Sequence, residues 1–342
     1  MRQGAGHSWS LATTTDAVKP APEHMRAAVI DTVGSPEVFH MQTVPTPKPV
    51  MAEFLVRVVA AGVNPIDAKT RSGRGVSSAI ATMPAVLGYD FSGIVVESPF
   101  PAAGLLPGDE VYGMTAFPRT GGSYAEYVAV SSLSLTRKPT TLSHVEAAGV
   151  PLAALTAWGM VVDVAKAHEG QRILIHAGSG GVGHFAVQFA AYFGARVIAT
   201  GSGRNVGWLR ELGAHQAVDH DAVRFEDVVS EVDVVIDLIG NTVDDTGTRS
   251  LSVLRPGGLI VNAPTGSWPT LVEDARAVGV RATTFRVAPD GSTLDTIGRL
   301  LESGDVRVFV DQVFELDEVH QAHTVLEGGH AKGKIVLKVA DG

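Results

Sequence analysis

The sequence contains no cysteine. Disulfides, thiolate metal sites and cysteine nucleophiles are therefore excluded together, and the redox compartment is left open because a cysteine-free chain tolerates either environment. No apolar run is long enough to span a bilayer, which removes a membrane helix from consideration. Positive charge is in deficit: 27 Lys and Arg stand against 36 Asp and Glu, a formal net charge of -9. Nothing draws such a chain to a polyphosphate backbone, so nucleic-acid binding is set aside. Residues 1–24 are small and polar, without an apolar stretch of signal-peptide length. They read as a poorly ordered extension ahead of Met25, which opens the hydrophobic run MRAAVI. With no targeting feature, the expected location is cytoplasmic.

What is present is turn-rich: 38 Gly and 18 Pro punctuate 342 residues, a length that can bury two cores. From Met25 to about Thr141, FLVRVVAAGV, SGIVVESP and YAEYVAV read as short strands, separated by the turns VPTPKPV, LLPGDEV and RTGG. After Leu142 the pattern changes. HVEAAGVPLAALTAWGMVVDVAKA is helical, and RILIHAG, ARVIATGS, VDVVIDLIG and LIVNAP are buried strands separated by helical segments. That alternation implies a doubly wound parallel sheet with helices on both faces. The tail STLDTIGRLLESG, VFVDQVFEL, LDEVHQAHTVLEGG and GKIVLKV is too small to stand alone and is expected to return to the first lobe. The reading is an α/β chain of two lobes with the active cleft between them: 25–148 with 290–342 as a β-rich catalytic domain, and 149–289 as the nucleotide-binding domain.

AGSGGVG at Ala177–Gly183 follows a strand and precedes the helix HFAVQFAAYFG, the context a dinucleotide fingerprint requires. Gly178 permits the sharp departure from the strand, Gly180 lets backbone approach a pyrophosphate, and Gly183 lets helix and strand pack closely. Ser179, Gly181 and Val182 complete the turn, and the helix N-terminus faces the anion. The next strand runs into Gly201, Ser202, Gly203 and Arg204 with no Asp or Glu. A hydroxyl and a guanidinium there suit a 2'-phosphate, so NADPH is expected over NADH, with Ser202 and Arg204 as its contacts. Gly240, Asn262, Ala263 and Pro264, after later strands, are candidates for the nicotinamide side. No set of residues has metal-ligand spacing; HQAH at 320–323 lacks a third partner and reads as solvated surface.

The motifs AAVIDTVGSPEVF, AGVNPIDAKTRSG, PAVLGYDFSGIVV, PGDEVYG, GGSYAEYVAV, LTAWGMV, AGSGGVG, LRPGG and GKIVL follow one another along the chain. In that order they resemble the medium-chain dehydrogenase/reductases, specifically their zinc-independent quinone oxidoreductase (zeta-crystallin-like) branch. The resemblance implies a GroES-like catalytic domain beside a Rossmann domain. Where zinc relatives carry a metal-binding Cys and His, Asn64 and Tyr89 stand here. It further implies that Asn64 is the polar residue nearest nicotinamide and substrate carbonyl, that Thr156 contacts the nicotinamide region, that Asp67 fixes the loop, and that Lys334 of GKIVL is a cofactor contact. Lys69 takes a position where several relatives have Tyr and offers a cationic amine to a substrate oxygen; Tyr89 and Tyr112 are alternative donors. Met114, Phe117 and the neighbourhood of Trp268 are candidate pocket walls. Arg71 and Arg74 sit where a thioester enzyme would want a basic rim.

Without a metal to polarise an alcohol, an acceptor already primed for hydride is the expected substrate. The leading reading is an NADPH:quinone oxidoreductase. The alternative within enzymes is a reductase of activated C=C bonds, in a 2-alkenal, an enone or an enoyl thioester. A non-catalytic NADPH-binding sensor or structural protein is the alternative of another class. VRATTFRV at 280–287 is the expected edge strand, and relatives pair it across a two-fold axis, which implies a homodimer.

Overall fold

A computed structural model describes residues 19–119 and 121–341. Six strands form one wholly parallel sheet in the order Gln216–Asp219, Arg196–Gly201, Arg172–Ile175, Val232–Asp237, Leu254–Asn262, Arg281–Thr284. The chain starts at the third of these and works outward in both directions. The order therefore reverses beside Arg172–Ile175, and the carboxyl ends of the strands open a crevice there. The helix Gly183–Tyr192 is apolar almost all round and buries its first eight residues, as a helix packed on both sides must.

The other lobe is β-rich. A seven-stranded, mostly antiparallel sheet is built on Glu53–Val63, which pairs with Asp90–Glu97, Tyr127–Ser131 and Lys334–Lys338. A three-stranded sheet of Phe39–Pro45, His24–Ile30 and Ala85–Val86 lies beside it. The first strand opens at His24, the last residue of the expected extension; residues 1–18 lie outside the described residues. The chain's return is explicit in the register: Ile335 stands opposite Val63 and Leu337 opposite Ala61. That pairing delivers Lys334 to the start of the loop that carries Asn64. The helix Gly291–Ser303 ahead of it is capped at both ends, by the Asp290 carboxylate accepting from the Thr293 amide and by Gly304 at φ +79°.

One core runs through both lobes: Tyr112 and Met114 of the β-rich sheet pack with Leu152, Ile173 and Phe185 of the nucleotide lobe and with Ile297 and Leu301 of the tail. Met114 is wholly buried there, and Trp268 lies in a separate cluster with Leu254 and Leu271, its Nε1 donating to Asp274 at 2.7 Å. Neither is a pocket wall. HQAH is corrected as well. His323 is fully buried, its Nε2 3.3 Å from the Tyr124 hydroxyl and its ring edge-on to Phe39, because its helix lies with that face against the sheet. Among the described residues, no helix is long and apolar enough to cross a membrane.

Three histidines are buried in this way, and burial drives each toward its neutral form: His176 and His184 are lowered to about 4 and His323 to about 3. In the unfolded chain they titrate near 6.5, so between those values the unfolded state binds more protons. Their stabilisation is complete above the unfolded value and is lost as pH falls through the folded ones. Asp67 opposes them: burial raises it to about 7, so over the same window the fold holds a proton that the unfolded chain releases. Stability should fall as pH drops from 6.5 to 4.5, by roughly 1.4 kcal/mol per pH unit for each net proton. Chemical denaturation across that range checks this. Burial pushes Asp90 upward as well, so a flat or rising profile would mean that the two buried carboxyls, and not the histidines, set the proton balance.

Candidate active site

The glycine turn is shaped as its spacing implies. A Cβ on Gly183 would lie 2.0 Å from the Ala177 carbonyl oxygen, so helix and strand could not close with any side chain there. Around Gly180 the nearest neighbour of such a Cβ is that same oxygen at 3.3 Å, and the remaining approach is open. The amides of Gly181 and Val182, just ahead of the helix, find no acceptor among the described residues. These free donors and the open glycine fit a dinucleotide pyrophosphate. Asn205, which sequence reading missed, ties the two turns together: its Nδ2 donates to Ser179 Oγ at 3.1 Å and to Ser202 Oγ at 3.3 Å.

Arg204 donates to the His330 carbonyl at 2.8 Å, which fastens the chain's late turn over this end of the site and leaves the other guanidinium N–H groups for an anion. One expectation needs correcting. The turn after Arg196–Gly201 carries no carboxylate of its own, but the neighbouring strand supplies one, since a Cβ on Gly203 would meet Asp219 Oδ2 at 2.5 Å. Asp219 was invisible to a search confined to the strand's own continuation. Its Oδ1 is engaged by the Asp221 amide.

At the switch point, a pocket of about 600 Å³ opens between the lobes. Thr156, Val182, Ala263, Pro264, Lys69 and Phe117 line it. Leu238, Phe285, Arg286 and Val287 line it too, unexpectedly, because the segment after the edge strand folds back over the cleft. Gly159 makes room for that segment: a Cβ there would sit 2.0 Å from the Phe285 ring. Gly240 and Asn262 stand behind the wall. Gly240 has φ +68° and is closed against Ser267, and Asn262 donates to Asp237 at 2.7 Å.

Beneath the pocket floor lies a buried polar network that changes several assignments. Asn64 is 1% exposed; its Nδ2 donates to Asp90 Oδ2 at 2.9 Å and its Oδ1 accepts from the Lys334 ammonium. It is thus held inward by both polar ends and does not form the pocket wall. Lys334, expected at the cofactor, is 3% exposed and donates to Asn64 and to the Val63 carbonyl at 3.2 Å, with Asp90 Oδ2 at 3.7 Å. A buried ammonium needs such partners, and it has no free donor to spare. Asp67 accepts from the Asn64 amide at 2.8 Å and the Tyr124 hydroxyl at 3.0 Å, which holds the loop from inside. Tyr89 packs edge-on against Phe117, 5.2 Å between centroids, and burial raises its phenol above the ordinary range. Tyr112 donates to the Leu294 carbonyl at 2.6 Å and is not available to a substrate. Arg71 is likewise committed, buried and paired with Glu327 at 2.6 Å, so no basic rim forms there. Lys69 alone of the expected donors reaches the pocket with its amine unpaired among the described residues.

Two substitutions test this geometry. Lys334→Met leaves the Asp90 carboxylate buried without its cation and should destabilise the fold by about 3–5 kcal/mol, read by chemical denaturation. Gly180→Ala, whose Cβ would meet only the Ala177 carbonyl oxygen at 3.3 Å, should weaken NADPH binding at least tenfold in a fluorescence titration while circular dichroism shows the fold retained.

Among known proteins, residues 51–140 match the family profile described as alcohol dehydrogenase GroES-like domain, and residues 212–337 the one described as zinc-binding dehydrogenase. The chain is 35% identical to the 2-methylene-furan-3-one reductase of Solanum lycopersicum, over 98% of this chain and 84% of that protein. It is 34% identical to the chloroplastic NADPH-dependent alkenal/one oxidoreductase of Arabidopsis thaliana, over 97% and 84%. A solved structure, the quinone oxidoreductase from Coxiella burnetii, superposes with a TM-score of 0.88 at 38% identity, covering 92% of this chain and 99% of that one. The zinc of the profile's description has no ligand pair here, since Asn64 and Tyr89 occupy the two positions and no three His, Asp or Glu gather into a metal site among the described residues. These likenesses support an enzyme over a non-catalytic sensor. The chain belongs to the medium-chain dehydrogenase/reductase superfamily, in its zinc-independent, NADPH-binding quinone oxidoreductase branch.

Proposed function

We propose that the protein reduces the C=C bond of a conjugated carbonyl compound, a 2-alkenal or an enone. The observation that supports a carbonyl-bearing acceptor is Lys69, a half-buried amine in the wall of an otherwise largely apolar pocket, and the choice of a C=C bond rests on the likeness to a 2-methylene-furan-3-one reductase and an alkenal/one oxidoreductase. Burial, and then the charge of Arg74, lowers its pKa, which makes the ammonium readier to release a proton. NADPH, when bound, supplies the hydride. Phe117, Leu152, Phe285 and Val287 exclude water and hold the acceptor flat. Hydride arrives at the β-carbon, the electron pair of the double bond moves toward the carbonyl, and Lys69 meets the negative charge on oxygen. The α-carbon is then protonated from Lys69 or solvent, giving the saturated carbonyl compound.

Quinone reduction is the second reading, favoured by the likeness to the Coxiella burnetii structure. The same pocket serves it, with Lys69 at a hydroquinone oxygen. A homodimer through Arg281–Thr284 is part of the proposal, since that strand pairs on one side with Leu254–Asn262 and has no second neighbour among the described residues.

Loss of NADPH absorbance, followed with a 2-alkenal and 1,4-benzoquinone in parallel and with a chelator present, separates the readings. Alkenal turnover that ignores the chelator is expected; turnover with quinone alone would transfer the protein to the second reading. Lys69→Met should lower kcat by about 100-fold, with Lys69→Arg restoring part of it. An unchanged kcat in Lys69→Met would remove Lys69 from the chemistry.

A further inference from the structure

The pocket carries more positive charge than this reduction uses. Lys69 and Arg286 both line it, no Asp or Glu does, and neither side chain has a hydrogen-bond or ion-pair partner among the described residues. Lys69 is half-buried and Arg286 stands exposed at the pocket mouth, while the buried cations Lys334, Lys138 and Arg71 face Asp90, Glu110 and Glu327. In a protein of net charge -9, two unmatched cations in one apolar cleft form a local well of positive potential. One of them has a task at the carbonyl oxygen. Arg286 has none.

We propose that the substrate bears a carboxylate remote from its reducible group, and that Arg286 grips it at the pocket mouth. The inference rests on the conjugated-carbonyl reading above and narrows it to acid-substituted enals and enones, or to acid-substituted quinones under the second reading. A planar guanidinium pairs with a carboxylate through two parallel N–H···O bonds, fixing orientation as well as charge. Phe285 and Val287 on either side of Arg286 give the apolar spacer a surface, and a volume of about 600 Å³ admits such a molecule beside the nicotinamide.

Two rival uses of Arg286 are weaker. The pyrophosphate of the cofactor is already met by the free amides of Gly181 and Val182 at the glycine turn. Guarding the open sheet edge would place the residue within the strand, whereas Arg286 lies beyond its last residue, Thr284. A phosphate-rich thioester would call for a wider basic rim, and Arg71 is spent on Glu327.

The test uses the full chain and two matched pairs: an aryl enone with a para-carboxylate and its methyl ester, and a carboxy-benzoquinone and its methyl ester. The acid should be preferred over the ester at least tenfold in kcat/KM within the pair that turns over, mainly through KM. Arg286→Gln should reduce that ratio at least tenfold, and Arg286→Lys by less. Equal turnover of acid and ester would overturn the proposal and leave the reductase reading standing. A higher KM for NADPH in Arg286→Gln, with the acid-to-ester ratio unchanged, would assign the guanidinium to the cofactor and also overturn it. Silence with all four compounds, with NADPH binding confirmed by fluorescence, would sink the reductase reading and this inference with it.

Discussion

A lysine ammonium can be buried only where oxygens replace its water, and the placement of Lys334 organises the cleft around that requirement. Its partners come from three places: the Val63 carbonyl at the end of a central strand, Asn64 at the start of the next helix, and Asp90 on the neighbouring strand. Asp90 in turn accepts from the Leu152 amide at 2.7 Å, in the helix Pro151–Trp158 that carries Thr156 into the pocket. One cation thus fixes the loop with Lys69, the strand beside Tyr89 and the helix that brings Thr156 to the pocket. Removing a single partner would leave a charge stranded in a medium that cannot solvate it.

Much of this was legible in the sequence because it depends on local rules. Glycine spacing after an apolar strand states the pyrophosphate turn, since each glycine answers a steric need within a few residues. The two lobes follow from the change between short, turn-broken strands and buried strands alternating with helices. Ala263 and Pro264 follow directly on a predicted strand, at the end where a parallel sheet exposes its loops, whereas Lys69 and Thr156, both within helices, were placed by the family resemblance.

What sequence reading misjudged depends on contacts between distant segments. Asn64 and Lys334 are 270 residues apart, and nothing local to either says that they meet. Each looked like a free polar group near a cofactor; together they satisfy one another. Asp219 reaches the turn at Gly203 from an adjacent strand, and His323, half of what looked like a solvated pair, is sealed by Tyr124 and Phe39. Arg286 escaped notice for the opposite reason: read as part of a sheet edge, it belongs to the segment that turns back over the cleft.

The closing strand Lys334–Lys338 adds an order in time. Its residues are synthesised after every strand of the parallel sheet, yet they pair with Glu53–Val63 near the chain's beginning. Until that strand docks, Asp90 has no counterion and the loop bearing Lys69 has no anchor from below. The last strand in the sequence thus carries the cation on which the Asn64 loop and Asp90 both depend, so the acceptor side of the cleft is built from the two ends of the catalytic lobe at once.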